Sequence, residues 1–436
     1  MSASCGALEC MLCLGCTRWA WRRCTFAGSN DSESWPLATL SDFSAIPRFT
    51  LFSLSSYSSA SPELPSTATL YKYASSPPFS PPYAIYTDQS YKEIILAVQG
   101  LGLSRKEDYR LLLDNPPGSQ PFKGGFVHRG LLRAATWLLE QEGETIRQLM
   151  HEGGKQWRFV VVGHSLGAGV AALTAVLAAN DLGRYGCETR EQVQCFIMAP
   201  PRCMSLSLAV EYTDVISSVI LQDDFLPRTA TPLQHIFGSI FCLPCLLFFF
   251  CMRDTFTSEE TKLKDPTRLY APGKIFHIVE RKYCRCGRFP PQVRTGVPTQ
   301  GSFEHIVLSC NSIFDHGIIW IEKEARKSLE LIEKVEEISI NPPLEQRMER
   351  LTHPDQQAVD AFDIDQSVTS VGTSGSDDNS SLITTDWDEI VENISKEDEL
   401  DHTKTENADV MLSKSGERLP LLVNMMQLIS KSIRIF

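Results

Sequence analysis

A serine flanked two residues away on each side by glycine, GHSLG at 163–167, is the part of this sequence best equipped for covalent chemistry. A serine hydroxyl is a weak nucleophile. To attack a carbonyl it needs a base to take its proton, an acid to orient that base, and donors to hold the oxyanion that forms. Gly163 and Gly167 have no Cβ, so a strand and a helix can close tightly around a turn that leaves Ser165 exposed above a sheet. The flanks suit that geometry. The β-branched run RFVVV leads into the motif and AGVAALTAVLAAND, rich in small residues, leads out. No lysine follows at phosphate-loop spacing.

In strand–turn–helix hydrolases of this kind the acid and then the histidine follow the serine along the chain. The segment QDDFLPR offers Asp223 and Asp224 at the carboxyl end of the strand SSVILQ, where open sheets place their chemistry. Asp181 comes too soon, on the helix that follows the motif, and Asp214 precedes the strand. The downstream histidines are His235, His277, His305 and His316. His305 falls within FEHIVLS, which reads as a strand. His316, in the FDHG loop that opens the last helix, suits a mobile base, with His277 in KIFHIVE as the runner-up. For the oxyanion, the N–H groups of Leu166, directly after the serine, and of Leu101, in the loop after LAVQG, are the expected donors.

These side chains need a frame. EIILAV (93–98), RFVVV, QCFIMAP (194–200) and SSVILQ (217–222) read as buried strands. Gly130–Glu152 and the segment beginning HGIIWIEKEARKS have helical periodicity. Strands alternating with helices predict an α/β fold: a mainly parallel sheet with helices on both faces. Residues 53–82 are rich in Ser and Pro and are not expected to pack regularly. The net charge of −12 is uneven, because Pro354–Val410 holds 16 acidic residues against 2 lysines and the remainder is close to neutral. No basic face for nucleic acid emerges. The organisation expected is an N-terminal extension with linker (1–81), a catalytic domain (82–335), and a disordered acidic tail with an apolar end (336–436).

With those pieces in place, LAVQGLGL, FKGGFVHRGLLRAA, VVVGHSLGAGVAAL, DDFLPR and IVLSCNSIFDHG resemble the class 3 lipases, an α/β-hydrolase family. The resemblance is strongest to a plant branch of sn-1-specific diacylglycerol lipase-like proteins, some labelled calmodulin-binding heat-shock proteins. It runs over about residues 1–335. It implies Ser165 as nucleophile and His316 as base. It implies Asp224 as acid, because the family acid directly precedes a hydrophobic pair and Pro-Arg, here Phe225-Leu226-Pro227-Arg228. The activity implied is ester hydrolysis of acylglycerols, diacylglycerol in particular, at a membrane surface, with no metal or organic cofactor. One departure is Gln99-Gly100-Leu101, where many members carry Arg-Gly-Thr or Arg-Gly-Ser. The hydroxyl donor is lost there, and one missing oxyanion donor costs roughly 10²–10³ in rate. A hydrolase fold kept as a membrane-associated binding protein is the alternative reading.

Several segments point to lipid. HIFGSIFCLPCLLFFFCM (235–252) lies between the acid and the base, where a lid-like insertion would sit. Cys10, Cys13 and Cys16, beside Trp19 and Trp21, suit S-acylation or interfacial docking. The apolar end LPLLVNMMQLISKSIRIF offers a face to a membrane or to calmodulin. Glu9 interrupts the first apolar stretch and Arg18, Arg22 and Arg23 follow it, which is unlike a signal peptide, so an intracellular location is expected.

Overall fold

Alternation of large apolar side chains builds two cores, one on each face of a single sheet. A computed structural model describes residues 17, 27–57, 64–102, 105–115, 120–228, 267–281, 288–305, 307 and 311–340. The apolar insertion 235–252 with His235, the Cys10–Cys16 cluster and the chain beyond 340 lie outside the described residues. The strands are β1 (Ala68–Ala74), β2 (Tyr83–Asp88), β3 (Glu93–Val98), β4 (Pro121–Phe122), β5 (Gly125–Phe126) and β6 (Arg158–His164). After them come β7 (Val193–Met198), β8 (Ile216–Leu221), β9 (Lys274–Arg281) and β10 (Arg288–Gly296). The helices are α1 (Leu40–Phe43), α2 (Ile46–Ser55), α3 (Lys106–Leu113), α4 (Arg129–Gly153), α5 (Leu166–Asn180), α6 (Leu206–Glu211), α7 (Asn311–Phe314) and α8 (Ile318–Ile340).

The main sheet runs β1-β2-β3-β6-β7-β8-β9-β10. Pairing from β3 through β9 is parallel, while β1–β2, β2–β3 and β9–β10 pair antiparallel. Ile94, Leu96, Val98, Phe159 and Val161 share one core with α4 and α5. Ile95, Ala97, Val160 and Val162 point the other way, into a core with Phe49 and Phe52 of α2 and Ile321 of α8. This period-2 division is what a strand buried on both faces requires. Each fully buried Val or Ile contributes about 1.5–3 kcal/mol. Among the described residues no helix is long and apolar enough to cross a membrane.

Two expectations are corrected. The sheet begins before residue 82, because the Ser/Pro-rich segment supplies β1, which pairs along its length with β2. Leu70, Tyr71 and Tyr73 favour a pleated edge there more than the neighbouring serines and prolines oppose it. FEHIVLS does not form a strand over its described residues. Phe303 has φ 56°, which a strand cannot hold, and its N–H is drawn to Asp31 Oδ1 at 3.0 Å. Glu304 is pulled aside by Arg202 at 3.1 Å and by Arg268.

Helix α2 spans the depth of the sheet. Near its start Arg48 pairs with the buried carboxylates Asp88 (2.9 Å) and Glu93 (2.5 Å), at the amino end of β3. Arg158 joins Glu93 from β6. Ten helical residues cover about 15 Å, and the turn after Ser55 reaches the carboxyl end of β3, where Tyr57 meets the loop at Gly100.

Candidate functional site

The chain reverses between β6 and α5 at Ser165, whose φ of 56° and ψ of −123° are strained for a residue with a side chain. Such a conformation costs about 1–3 kcal/mol and persists only when its surroundings enforce it. They do so here. Ser165 N–H donates to the Met198 carbonyl at the end of β7 (3.0 Å), and the Ser165 carbonyl accepts from Ala168 N–H (3.0 Å). A Cβ on Gly163 would stand 2.4 Å from the Gly167 carbonyl oxygen, and one on Gly167 only 2.1 Å from that of Gln99. Both obstacles are backbone, so neither position can take a side chain without moving the turn. Gly167→Ala is expected to destabilise the fold by about 1–3 kcal/mol, read as a lower melting temperature. An unchanged melting curve would contradict that packing.

His316 lies in the short loop between α7 and α8, and its Nε2 is 2.8 Å from Ser165 Oγ. Its Nδ1 is 3.0 Å from Asp224 Oδ1. Asp224 is fully buried in the turn after β8, where the same Oδ1 also accepts the Leu226 N–H at 3.0 Å. A carboxylate against Nδ1 keeps the imidazole proton on that nitrogen and leaves Nε2 to accept from the serine hydroxyl. The three side chains thus form one hydrogen-bonded line from a buried acid to a strained serine.

The other aspartates and histidines fall elsewhere. Asp223 faces away from His316, with Oδ1 accepting the Gly28 N–H (2.9 Å) and its own N–H donating to Asp315 (3.0 Å). Asp181 is exposed at the end of α5, and Asp214 pairs at the surface with Arg190. His305 lies in a bend. His277 is fully buried on β9, with Nδ1 accepting from Ser32 Oγ (2.7 Å) and Nε2–H donating to the Gln222 carbonyl (3.0 Å). Through Nε2 the ring of His277 holds the loop that carries Asp224, and through Nδ1 it ties to Ser32 in the N-terminal region.

That loop is braced again from the N-terminal region. Arg228, fully buried, donates to Asp31 (3.0 Å), to the Asp224 carbonyl (2.8 Å) and to the Gly28 carbonyl (3.2 Å). The sequence left this contact invisible, since its partners stand about two hundred positions apart.

Burial holds the imidazoles of His164 and His277 down to about 3 and that of His128 to about 4, against an ordinary 6.5. The unfolded chain therefore binds more protons below pH 6.5. The stability these neutral rings give is complete above 6.5 and is lost as pH falls towards their folded values. The slope is about 1.4 kcal/mol per pH unit for each histidine. Asp31 and Asp108, whose carboxyls burial raises, act in the opposite sense at the acid end. The melting temperature is thus expected to fall from pH 6.5 to 5, and less steeply in His277→Gln. Equal slopes for the two proteins would count against this.

For an oxyanion, the amide of Leu166 opens α5, where the first-turn N–H groups have no intrahelical acceptor. In the loop after β3, Gln99 N–H donates to Pro82 O (2.9 Å), Gly100 N–H to Tyr57 Oη (2.5 Å) and Gly102 N–H to Asp108 Oδ2 (2.8 Å). Among the described residues, Leu101 N–H is the one amide of that run with no acceptor. Tyr57 and His164 are parts of this site that the sequence reading passed over. Tyr57 stands in a serine run with no periodicity to mark it, and His164 was visible only as the second letter of the motif.

The profile of the family described as lipase (class 3) matches residues 96–234, and that of the lipase 3 N-terminal region matches residues 7–73. The first match takes in Ser165 and Asp224 and stops before His316. Diacylglycerol lipase-alpha of Mus musculus is 25% identical over 243 residues, covering 46% of this chain and 22% of that protein. Diacylglycerol lipase-beta of Mus musculus is 28% identical over 162 residues, covering 34% and 21%. The chain therefore spans about a fifth of the length of these curated relatives (22% and 21%). Among solved structures, a fungal lipase–inhibitor complex aligns with a TM-score of 0.47 and 17% identity, covering 64% of this chain and 95% of that one. The lipase of Rhizopus microsporus var. chinensis aligns with a TM-score of 0.45 and 15% identity, covering 65% and 88%.

Proposed function

Because the chain belongs to the class 3 lipase family, we propose that it is a serine ester hydrolase that cleaves acylglycerols, diacylglycerol foremost, at a membrane surface. The observation that carries the proposal is the unbroken line Ser165 Oγ, His316 Nε2, His316 Nδ1, Asp224 Oδ1, ending on a serine in a strained turn. Ser165 attacks the ester carbonyl while His316 takes its proton. The N–H groups of Leu101 and Leu166 hold the oxyanion. The tetrahedral adduct collapses, His316 protonates the departing glyceride oxygen, and an acyl-enzyme remains on Ser165. Water, deprotonated by His316, then releases the fatty acid and restores the serine. Asp224 stays ionised throughout and orients the ring.

A membrane surface is supported by what surrounds His316. Phe314, Ile319 and Trp320, on the helices to either side of it, are 40%, 55% and 38% exposed. Large apolar side chains left in water beside a reaction centre favour a lipid partner. A second reading, a lipid-binding protein that does not turn over, draws on the oxyanion loop, where Leu101 brings no hydroxyl.

Vesicles containing diacylglycerol, triacylglycerol or phospholipid alone separate the two readings, with released fatty acid quantified and a fluorophosphonate probe run in parallel. Hydrolysis is expected to be fastest with diacylglycerol, with the probe on Ser165. Vesicle binding without fatty-acid release and without labelling would establish the second reading instead.

A further inference from the structure

A single, partly buried polar chain ties together the three loops that meet at Ser165. Gly100 N–H donates to Tyr57 Oη at 2.5 Å. The Tyr57 hydroxyl in turn donates to His164 Nδ1 at 2.8 Å. His164 Nε2–H then donates to the backbone carbonyl of His316 at 2.7 Å. One end of the chain is the peptide next to Leu101, and the other is the main chain of the base. Its middle is the residue directly before the nucleophile.

The direction of every bond is fixed by chemistry. An amide N–H can only donate and a carbonyl can only accept. Tyr57 must therefore accept from Gly100 and give its own proton to His164, which carries its hydrogen on Nε2. Burial keeps the tyrosine hydroxyl protonated and holds the His164 imidazole down to about 3, so neither changes charge near neutral pH.

The surroundings leave little slack. A Cβ on Gly100 would lie 2.6 Å from Tyr57 Oη and 3.0 Å from Ser165 Cβ. The Gln99 side chain binds the Ser56 carbonyl, which joins the same two segments a second time. Tyr57 is 42% exposed, so its ring flank is open to solvent while the hydroxyl reaches inward. It adds little apolar burial for its size. What it contributes is the position of one oxygen.

Resting on the hydrolase reading above, we propose that Tyr57 and His164 are positioning residues: they aim the Leu101 N–H at the oxyanion and set the rotation of His316 against Ser165. With Gly100 N–H occupied by Tyr57 Oη, the Gly100–Leu101 peptide is held in one orientation. With its own carbonyl held by His164, His316 is constrained on the main-chain side while Asp224 constrains it on the ring side. Neither residue touches substrate. Errors near 1 Å in such geometry cost about 10²-fold in rate.

The test is steady-state hydrolysis of a soluble short-chain nitrophenyl ester by Tyr57→Phe, His164→Asn and His164→Gln, with Ser165→Ala as reference. Tyr57→Phe removes one oxygen from a half-open ring. It is expected to lower kcat about 10–100-fold with KM within twofold and with the wild-type melting temperature. His164→Asn keeps an acceptor for Tyr57 but cannot reach His316, and a similar fall in kcat is expected. His164→Gln can still donate to the His316 carbonyl and is expected to recover part of the loss. Tyr57→Phe in the His164→Asn background should cost far less than in wild type, because the chain is already cut. The positioning role is wrong if Tyr57→Phe and His164→Asn both keep kcat within twofold while Ser165→Ala is inactive. It is also wrong if their losses lie in KM or simply multiply. Activity persisting in Ser165→Ala would instead remove the hydrolase reading on which it rests.

Discussion

Ser165→Ala is expected to lower kcat for ester hydrolysis by about 10⁴–10⁶-fold while leaving vesicle binding intact. On the hydrolase reading the hydroxyl is the atom that bonds to the acyl group, and it lies 2.8 Å from His316 Nε2. The residual rate would reflect the oxyanion donors and binding alone, since donors aimed at the tetrahedral adduct still assist direct attack by water. The fold should be unharmed. Ser165 is only 5% exposed, but its hydroxyl is oriented by His316 and does not support the core. Alanine also relieves none of the backbone strain, because the glycines and the Met198 carbonyl impose φ 56° whatever occupies the position. Two measurements suffice: fatty-acid release from diacylglycerol vesicles and covalent labelling by a fluorophosphonate. Turnover within tenfold of wild type would place the nucleophile elsewhere.

Asp224→Asn is expected to cost about 10⁴-fold in kcat, as loss of the carboxylate does when it fixes a catalytic imidazole. The substitution is nearly isosteric, so its effect is a matter of protons. An amide nitrogen facing Nδ1 would donate, the ring proton would move to Nε2, and Nε2 would then present a donor to the serine oxygen. The Leu226 N–H, 3.0 Å from the same Oδ1, favours the amide oxygen at that position; there the ring keeps its proton on Nδ1 but loses the negative charge that stabilises the imidazolium, so kcat falls in either amide orientation. The adjacent substitution Asp223→Asn provides the contrast. Asp223 holds Gly28 and not the imidazole, so its change should appear as a lower melting temperature with kcat within a fewfold. If the two substitutions reduced kcat equally, the distinction between the neighbouring carboxylates would collapse.

Much of this site could be read in the chain before any coordinates. The run RFVVV demanded a buried strand, the glycines around Ser165 demanded a tight exit from it, and Asp224 and His316 each followed an element in the order the chemistry needs. Periodicity reports which face of an element is buried, and it did so for β3, β6 and α4. It is silent about single polar contacts made across the fold. Tyr57 in its serine run, Arg228 reaching to Asp31, and His277 clamping Gln222 have no local signature, because each partner lies on a distant segment. FEHIVLS misled for a related reason. Its short apolar run satisfies a strand pattern, yet Asp31, Arg202 and Arg268 capture Phe303 and Glu304 first.

The brace from Arg228 to Gly28 and Asp31 bears on when such a protein first becomes competent during its own synthesis. Ser165 leaves the ribosome ahead of the Met198 carbonyl that holds its turn and ahead of its base, and the loop bearing Asp224 follows with its supports Gly28 and Asp31 already synthesised. His316 comes about ninety residues after Asp224 and closes the line last. Contacts this distant along the chain form slowly and only late in folding. On the hydrolase reading, the growing polypeptide therefore stays latent until the segment that carries His316 has emerged and docked against Asp224.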